Sequence, residues 1–192
     1  MESKNNTFKD FISPILVLVV ICFVVTFLLA FTYGITAPII EANTKASADA
    51  SRTTLLEAAE GSFDEYTGEL YELGDGKSVV TECYTASNGT GIVVTAKTNS
   101  YGGDLTAMIG IDSEGAITGV QVTEASDTPG VGTKAQAESH LSQYTGLTEL
   151  TSDDVKKDTN VEAVTGATVS SKAVHRCVYC AMEQFKLMGG AQ

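Results

Sequence analysis

Residues 79–97 read Val-Val-Thr-Glu-Cys-Tyr-Thr-Ala-Ser-Asn-Gly-Thr-Gly-Ile-Val-Val-Thr-Ala-Lys, and this stretch decides the fold class. Val79–Ala86 and Ile92–Lys97 are rich in β-branched side chains, which suit a pleated, half-buried surface. Between them Asn88-Gly89 supplies the residues that a tight hairpin turn requires. The pattern repeats downstream, where Leu105–Asp112 and Ala116–Glu124 flank the turn Asp112-Ser113-Glu114-Gly115. Four strands joined by such short connections predict an antiparallel sheet. Upstream, Gly61–Lys77 holds several turn signals and room for one short strand.

Helical patterns lie outside this sheet. Thr133–Tyr144 predicts one helix, and Thr168–Met188 predicts another, with Val174, Val178, Ala181, Phe185 and Met188 recurring on one side. Asn43–Glu60, carrying Ala46, Ala50, Leu55, Leu56 and Ala59, predicts a connecting helix. The class is therefore α+β, with flanking helices on an antiparallel sheet.

The N-terminal part is of another kind. Residues 11–40 carry no charge, and Ile15–Tyr33 is almost wholly apolar. As a helix, such a run exceeds the ~30 Å of a hydrocarbon core. A cleaved signal peptide has a shorter apolar region with small residues just after it, and Ala46-Ser47-Ala48 lies too far downstream. The expected organisation is a polar tail at 1–10, a transmembrane anchor at 11–36 ending near Gly34 and Pro38, a connecting helix and linker at 37–77, and one domain at 78–192. Lys4 and Lys9 precede the span, and Lys45 and Arg52 follow at greater distance, so the basic residues only weakly favour a cytoplasmic N-terminus.

The chain has 192 residues and a net charge of −12, and residues 41–192 carry 10 basic against 22 acidic side chains. That balance excludes a nucleic-acid-binding footprint and opposes a domain lying flat on an anionic membrane. Of the four cysteines, Cys22 falls in the anchor and Cys83 in a strand. Cys177 and Cys180 lie three apart on one helix face, where they read as packing residues, because no second pair completes a metal site. His140 and His175 fall on helical stretches among polar neighbours and read as surface or half-buried residues. Asp64, Glu65, Glu69, Asp153 and Asp154 read as solvated faces or caps, so no metal site is expected.

Three short motifs carry the functional reading. Val164-Thr165-Gly166-Ala167-Thr168-Val169-Ser170-Ser171 places hydroxyls where a tight turn feeds a helix N-terminus, whose unpaired amides and dipole favour a phosphate. Serine and threonine are also ordinary N-caps, and on this octapeptide alone capping accounts for them. Ser126-Asp127-Thr128-Pro129-Gly130-Val131-Gly132 is a turn-forming loop of small residues, and Ser100-Tyr101-Gly102-Gly103 precedes the third strand.

In this order, behind an N-terminal anchor, these motifs resemble the FMN-binding subunits of sodium- or proton-pumping respiratory complexes. The chain is most similar to the FMN-binding component of the Rnf ferredoxin:NAD oxidoreductase, RnfG. The corresponding component of the sodium-pumping quinone reductase, NqrC, shares the motif on a typically longer chain. The resemblance runs through the anchor and most of residues 78–185. It implies FMN joined covalently through its phosphate to Thr168, with Thr165, Gly166, Ala167 and Ser170 around it and Glu162 standing where the family usually has aspartate. It also implies that Asp127, Thr128, Pro129, Gly130, Val131 and Gly132 approach the flavin, where the amides around Gly130 and Gly132 could bond the ring carbonyls, with Tyr101 against its edge. A threonine hydroxyl is a poor nucleophile alone, so attachment implies a separate flavin transferase. The resemblance further implies a single-pass protein of the cell membrane, its domain outside the cytoplasm, relaying electrons within a membrane redox complex coupled to Na⁺ or H⁺ movement, without a complete active site of its own. The alternatives are a membrane-tethered structural or flavin-sensing module, and a flavin carrier serving another extracytoplasmic reductase.

Overall fold

A computed structural model describes residues 4–190 of the chain. The chain divides into two units, Met1–Ser47 and Ala48–Gln192.

The first unit is helical. α1 (Lys4–Leu55) is one continuous helix with Pro14 and Pro38 inside it, and from Ile12 it is long and apolar enough to cross a membrane. The expected stop near Gly34 and Pro38 does not occur. Pro38 removes only the N–H that would bond the Gly34 carbonyl, and intact turns on both sides carry the helix past that gap. Three hydroxyls in the apolar stretch are satisfied internally: Thr26, Thr32 and Thr36 donate to the carbonyls of Cys22, Leu28 and Thr32 at 2.7, 2.8 and 2.9 Å. The separate helix expected over 43–60 is likewise part of α1 as far as Leu55. A 3₁₀ turn at Glu57–Ala59 follows, and Glu60 and Gly61 end it at φ 51° and 76°.

The second unit is built on a five-stranded antiparallel meander: β1 (Phe63–Glu65), β2 (Val79–Ala86), β3 (Gly91–Asn99), β4 (Asp104–Asp112) and β5 (Ile117–Ala125), paired in that order. The two hairpins form where the turn residues place them. Asp112 Oδ1 accepts the amides of Glu114 and Ala116 at 2.9 Å, which folds the second turn around its own side chain. The central strands are buried on both faces, so β3 reads as a nearly continuous apolar run. On one face Ile92, Val94, Ala96, Leu105, Ala107 and Ile109 meet α3 (Thr168–Leu187), which lays Val174, Cys177, Val178 and Ala181 across them. On the other face Val93, Met108 and Ala86 pack against Leu55, Leu56 and Ala59.

Cys83, Cys177 and Cys180 are free and buried, and burial pushes the Cys83 and Cys180 thiols up to about 12. They are inert packing residues. The helix expected over Thr133–Tyr144 is broken into a 3₁₀ turn at Gly132–Gln136, a single turn α2 (Glu138–Leu141) and a second 3₁₀ turn at Ser142–Tyr144. Ala137 breaks it by adopting extended geometry, and the angular path lets Ala135, His140, Leu141 and Tyr144 all turn inward.

Ile109 has no solvent exposure at the centre of the sheet, whereas Leu187 near the end of α3 is 48% exposed. Ile109→Ala is expected to lower stability by about 2–5 kcal/mol, and Leu187→Ala by roughly 0.5 kcal/mol or less. Urea denaturation of the full chain in detergent checks the contrast.

Candidate functional site

The loops at one end of the sheet converge on the start of α3. Ser100–Gly103 links β3 to β4, Asp127–Gly132 follows β5, and Val164–Ala167 leads into α3. Together they enclose a groove of about 530 Å³, within the range of small-molecule sites. One wall is Tyr101, Thr128, Val131 and Gly132, and the other is Gly166, Ala167, Thr168, Val169 and Ser170. Tyr101, Val131 and Val169 are 75, 50 and 52% exposed, so the mouth is apolar and open.

The helix start supplies the polar end. The Ala167 amide bonds the Val164 carbonyl at 3.0 Å, with Gly166 at φ 83° in the turn, and the Val164 amide donates to Ser171 Oγ at 3.0 Å. Ala167 occupies the N-cap position and no side chain caps the helix. The hydroxyls of the octapeptide are thus not N-caps here. The Ser171 amide bonds back to the Ala167 carbonyl at 2.9 Å, which leaves the amides of Thr168, Val169 and Ser170 leading a 20-residue helix. Half-buried Thr168 therefore lines the groove at a ready-made anion position.

Of the residues expected at a cofactor, Tyr101, Thr128, Val131, Gly132, Gly166, Ala167, Thr168 and Ser170 come together on this groove. Asp127, Pro129, Gly130, Glu162 and Thr165 are not among its lining residues. Asp127 is buried beneath the loop, where Ser100 Oγ donates to its carboxylate at 2.7 Å. Glu162 is exposed, its amide bonded to Gln143 Oε1 at 3.0 Å, and it borders a separate hollow with Lys134, Ser139 and His140. The amides at Gly130 and Gly132, expected to be available to a ring carbonyl, are already engaged. Gly130 donates to Thr133 Oγ1 at 2.9 Å and Gly132 to the Thr128 carbonyl at 3.0 Å, which knits the loop together. Gly132 serves close packing instead, since a Cβ there would lie 2.7 Å from Asp127 Cβ and 2.8 Å from Ser170 Oγ. Val169 escaped the sequence reading; its signal is an apolar side chain in the first turn, off the face that packs on the sheet.

Residues 100–183 match the family model of the FMN-binding domain. The G subunit of the ion-translocating oxidoreductase complex of Methanosarcina acetivorans is 30% identical over 188 residues, which cover 95% of this chain and 98% of that protein. The chain belongs to this RnfG family. The G subunit of the proton-translocating ferredoxin:NAD(+) oxidoreductase complex of Clostridium ljungdahlii is 27% identical over 179 residues, 91% of each chain. The crystal structure of Shewanella oneidensis NqrC is 21% identical and covers 55% of this chain and 57% of its own, with a TM-score of 0.44.

Behind the groove lies a polar network that corrects the expectation for the histidines. His140 and His175 are buried, not on the surface. His175 Nε2–H donates to the Ser152 carbonyl at 2.8 Å, so its Nδ1 is the acceptor for the Tyr144 hydroxyl at 3.3 Å. His140 Nδ1 accepts the Gln143 side-chain amide at 2.9 Å. These partners make burial possible. Burial holds both imidazoles below their ordinary value of 6.5, and the hydrogen bond to Ser152 and nearby Asp158 only partly offset this for His175.

Both rings are neutral in the folded chain near neutral pH. As pH falls through about 6.5 the unfolded chain takes up protons that the folded chain refuses, so stability is full above that value and declines below it. Asp158, which burial would raise, is held below its ordinary 3.8 by the Asn160 and Thr151 amides, so its contribution is lost only at lower pH. The thermal midpoint of the full chain in detergent is expected to be level above about pH 7 and to fall between about pH 6.5 and 5. A midpoint unchanged down to pH 5 contradicts the neutral buried histidines.

Proposed function

We propose that this chain is the flavin-bearing electron carrier of a membrane ferredoxin:NAD oxidoreductase coupled to Na⁺ or H⁺ translocation, with FMN joined by a phosphoester to Thr168. The observation that carries this reading is the uncapped start of α3, which presents a threonine hydroxyl and free helix amides to a groove of cofactor size. When bound, FMN supplies the one- and two-electron chemistry. The protein's part is to hold and orient it. Thr168 tethers the phosphate, and the amides of the first turn with the helix dipole neutralise its charge. Tyr101, Val131 and Val169 offer apolar surface to the ring, and Thr128 and Ser170 add hydroxyls along the walls.

No histidine or carboxylate is among the groove's lining residues, so nothing there takes the proton from the Thr168 hydroxyl. A separate flavin transferase with an activated donor is therefore required. Exposed Glu162, six residues upstream, is available for recognition by that enzyme. Residues 1–10 form the cytoplasmic tail and 11–36 the crossing, and the flavin domain from about residue 78 stands on the extracytoplasmic face. There a tethered cofactor is not lost by dissociation. The other members of the complex are the partners in electron transfer, and the acidic domain makes no use of nucleic acid.

Cleavage at Lys157 and Lys172 releases the peptide Asp158–Lys172. From protein made in its native membrane, this peptide is expected to carry the mass of FMN less water on Thr168. The Thr168→Ala protein is expected to fold with an unmodified peptide and no flavin after denaturation. An unmodified wild-type peptide, or flavin retained by Thr168→Ala after denaturation, contradicts the assignment.

A further inference from the structure

Asp127 is 6% exposed and collects donors from three separate segments. Its Oδ1 accepts the Gly102 amide at 3.0 Å and its Oδ2 accepts Gln136 Nε2 at 3.2 Å. Ser100 Oγ reaches both oxygens, at 2.9 and 2.7 Å. Ser170 Oγ, two residues beyond Thr168, also donates to this carboxylate. Burial acts to raise the Asp127 pKa, but the hydrogen bonds from Ser100, Gly102, Ser170 and Gln136 outweigh it and keep the group ionised, as an acceptor-only centre must be.

We propose that Asp127 is a positioning residue whose carboxylate locks the Ser100–Gly103 loop and the first turn of α3 onto the Asp127–Gly132 loop, and thereby fixes where Thr168 is presented. The proposal rests on Thr168 as the flavin attachment point. The geometry makes the demand specific. Serine hydroxyls can rotate to donate or accept, but the Gly102 amide and the Gln136 side-chain amide can only donate, and they address opposite oxygens. An asparagine of the same shape must turn its own NH₂ toward one of them in either flip state. The Ser100–Gly103 loop is also seated tightly, since a Cβ at Gly102 would fall 2.0 Å from the Ser126 carbonyl oxygen. A purely electrostatic role predicts the opposite outcome, because removing a negative charge near an anion position would favour the phosphate.

The test compares full-length wild type, Asp127→Asn and Ser100→Ala in native membranes that supply the flavin transferase. It follows FMN incorporation into Asp158–Lys172, visible circular dichroism of the attached flavin, and amide exchange at 168–171 against the 88–91 hairpin. Asp127→Asn is expected to speed exchange at 168–171 on the order of tenfold with the hairpin unchanged. FMN incorporation is expected to slow several-fold, with an altered flavin dichroism. Ser100→Ala, which keeps the charge and the other donors, is expected to move in the same direction by less. It carries the test alone if Asp127→Asn loses the protected hairpin. Wild-type exchange, or wild-type incorporation and dichroism despite faster exchange, overturns the positioning role while leaving the Thr168 reading in place. A wild-type peptide without FMN overturns that reading and the proposal with it.

Discussion

The packing of α3 across β3 and β4 is the contact on which the rest of the domain depends. Val174, Cys177, Val178 and Ala181 are buried on the strand side chains, with essentially no exposure, and this fixes the helix in position along its axis. Because the helix is anchored along its length, its first turn falls where the β3–β4 loop and the loop after β5 meet. The groove is therefore a consequence of core packing. The functional end is left uncapped, although a serine or threonine one position earlier would have closed it. A buried hydrophobic face supplies the stability that lets the helix terminus remain open.

The same division appears in the polar groups behind the site. Asp127, His175 and Asp158 are buried, but each meets specific partners from other segments, so burial does not leave them uncompensated. Asp127 joins the loops around the groove, while His175 ties α3 to the Ser152 carbonyl and to Tyr144. Two layers result, an apolar one that holds the helix on the sheet and a polar one that holds the loops on the helix. Neither layer reaches the groove mouth, where Tyr101, Val131 and Val169 remain exposed for the cofactor.

What was legible in the sequence was local. Asn88-Gly89 and Asp112–Gly115 dictate their turns through their own backbone and side-chain chemistry, so the hairpins and the sheet follow from them. The start of α3 at Thr168 is marked by the Thr-Gly turn just before it. What escaped depends on distant partners. The helix over 133–144 has adequate local pattern, yet burial of Ala135, His140 and Tyr144 bends it into short turns. The histidines read as surface residues because Ser152 and Tyr144, which satisfy His175, lie 23 and 31 positions away. Asp127 read as a cofactor contact for the same reason, since Ser100 and Gly102 lie 27 and 25 positions back along the chain. Pro38 suggested a helix end because one missing hydrogen bond looks decisive in a short window and is minor within a 52-residue helix.

The central claim is that the groove at the start of α3 holds FMN through Thr168. A structure of the flavin-loaded chain purified from its native membrane tests it most directly. The account predicts continuous density from Thr168 Oγ1 through a phosphate at the first turn of α3, with the ring between Tyr101, Val131 and Val169. Flavin bound elsewhere, or density in this groove that does not join Thr168, would contradict it.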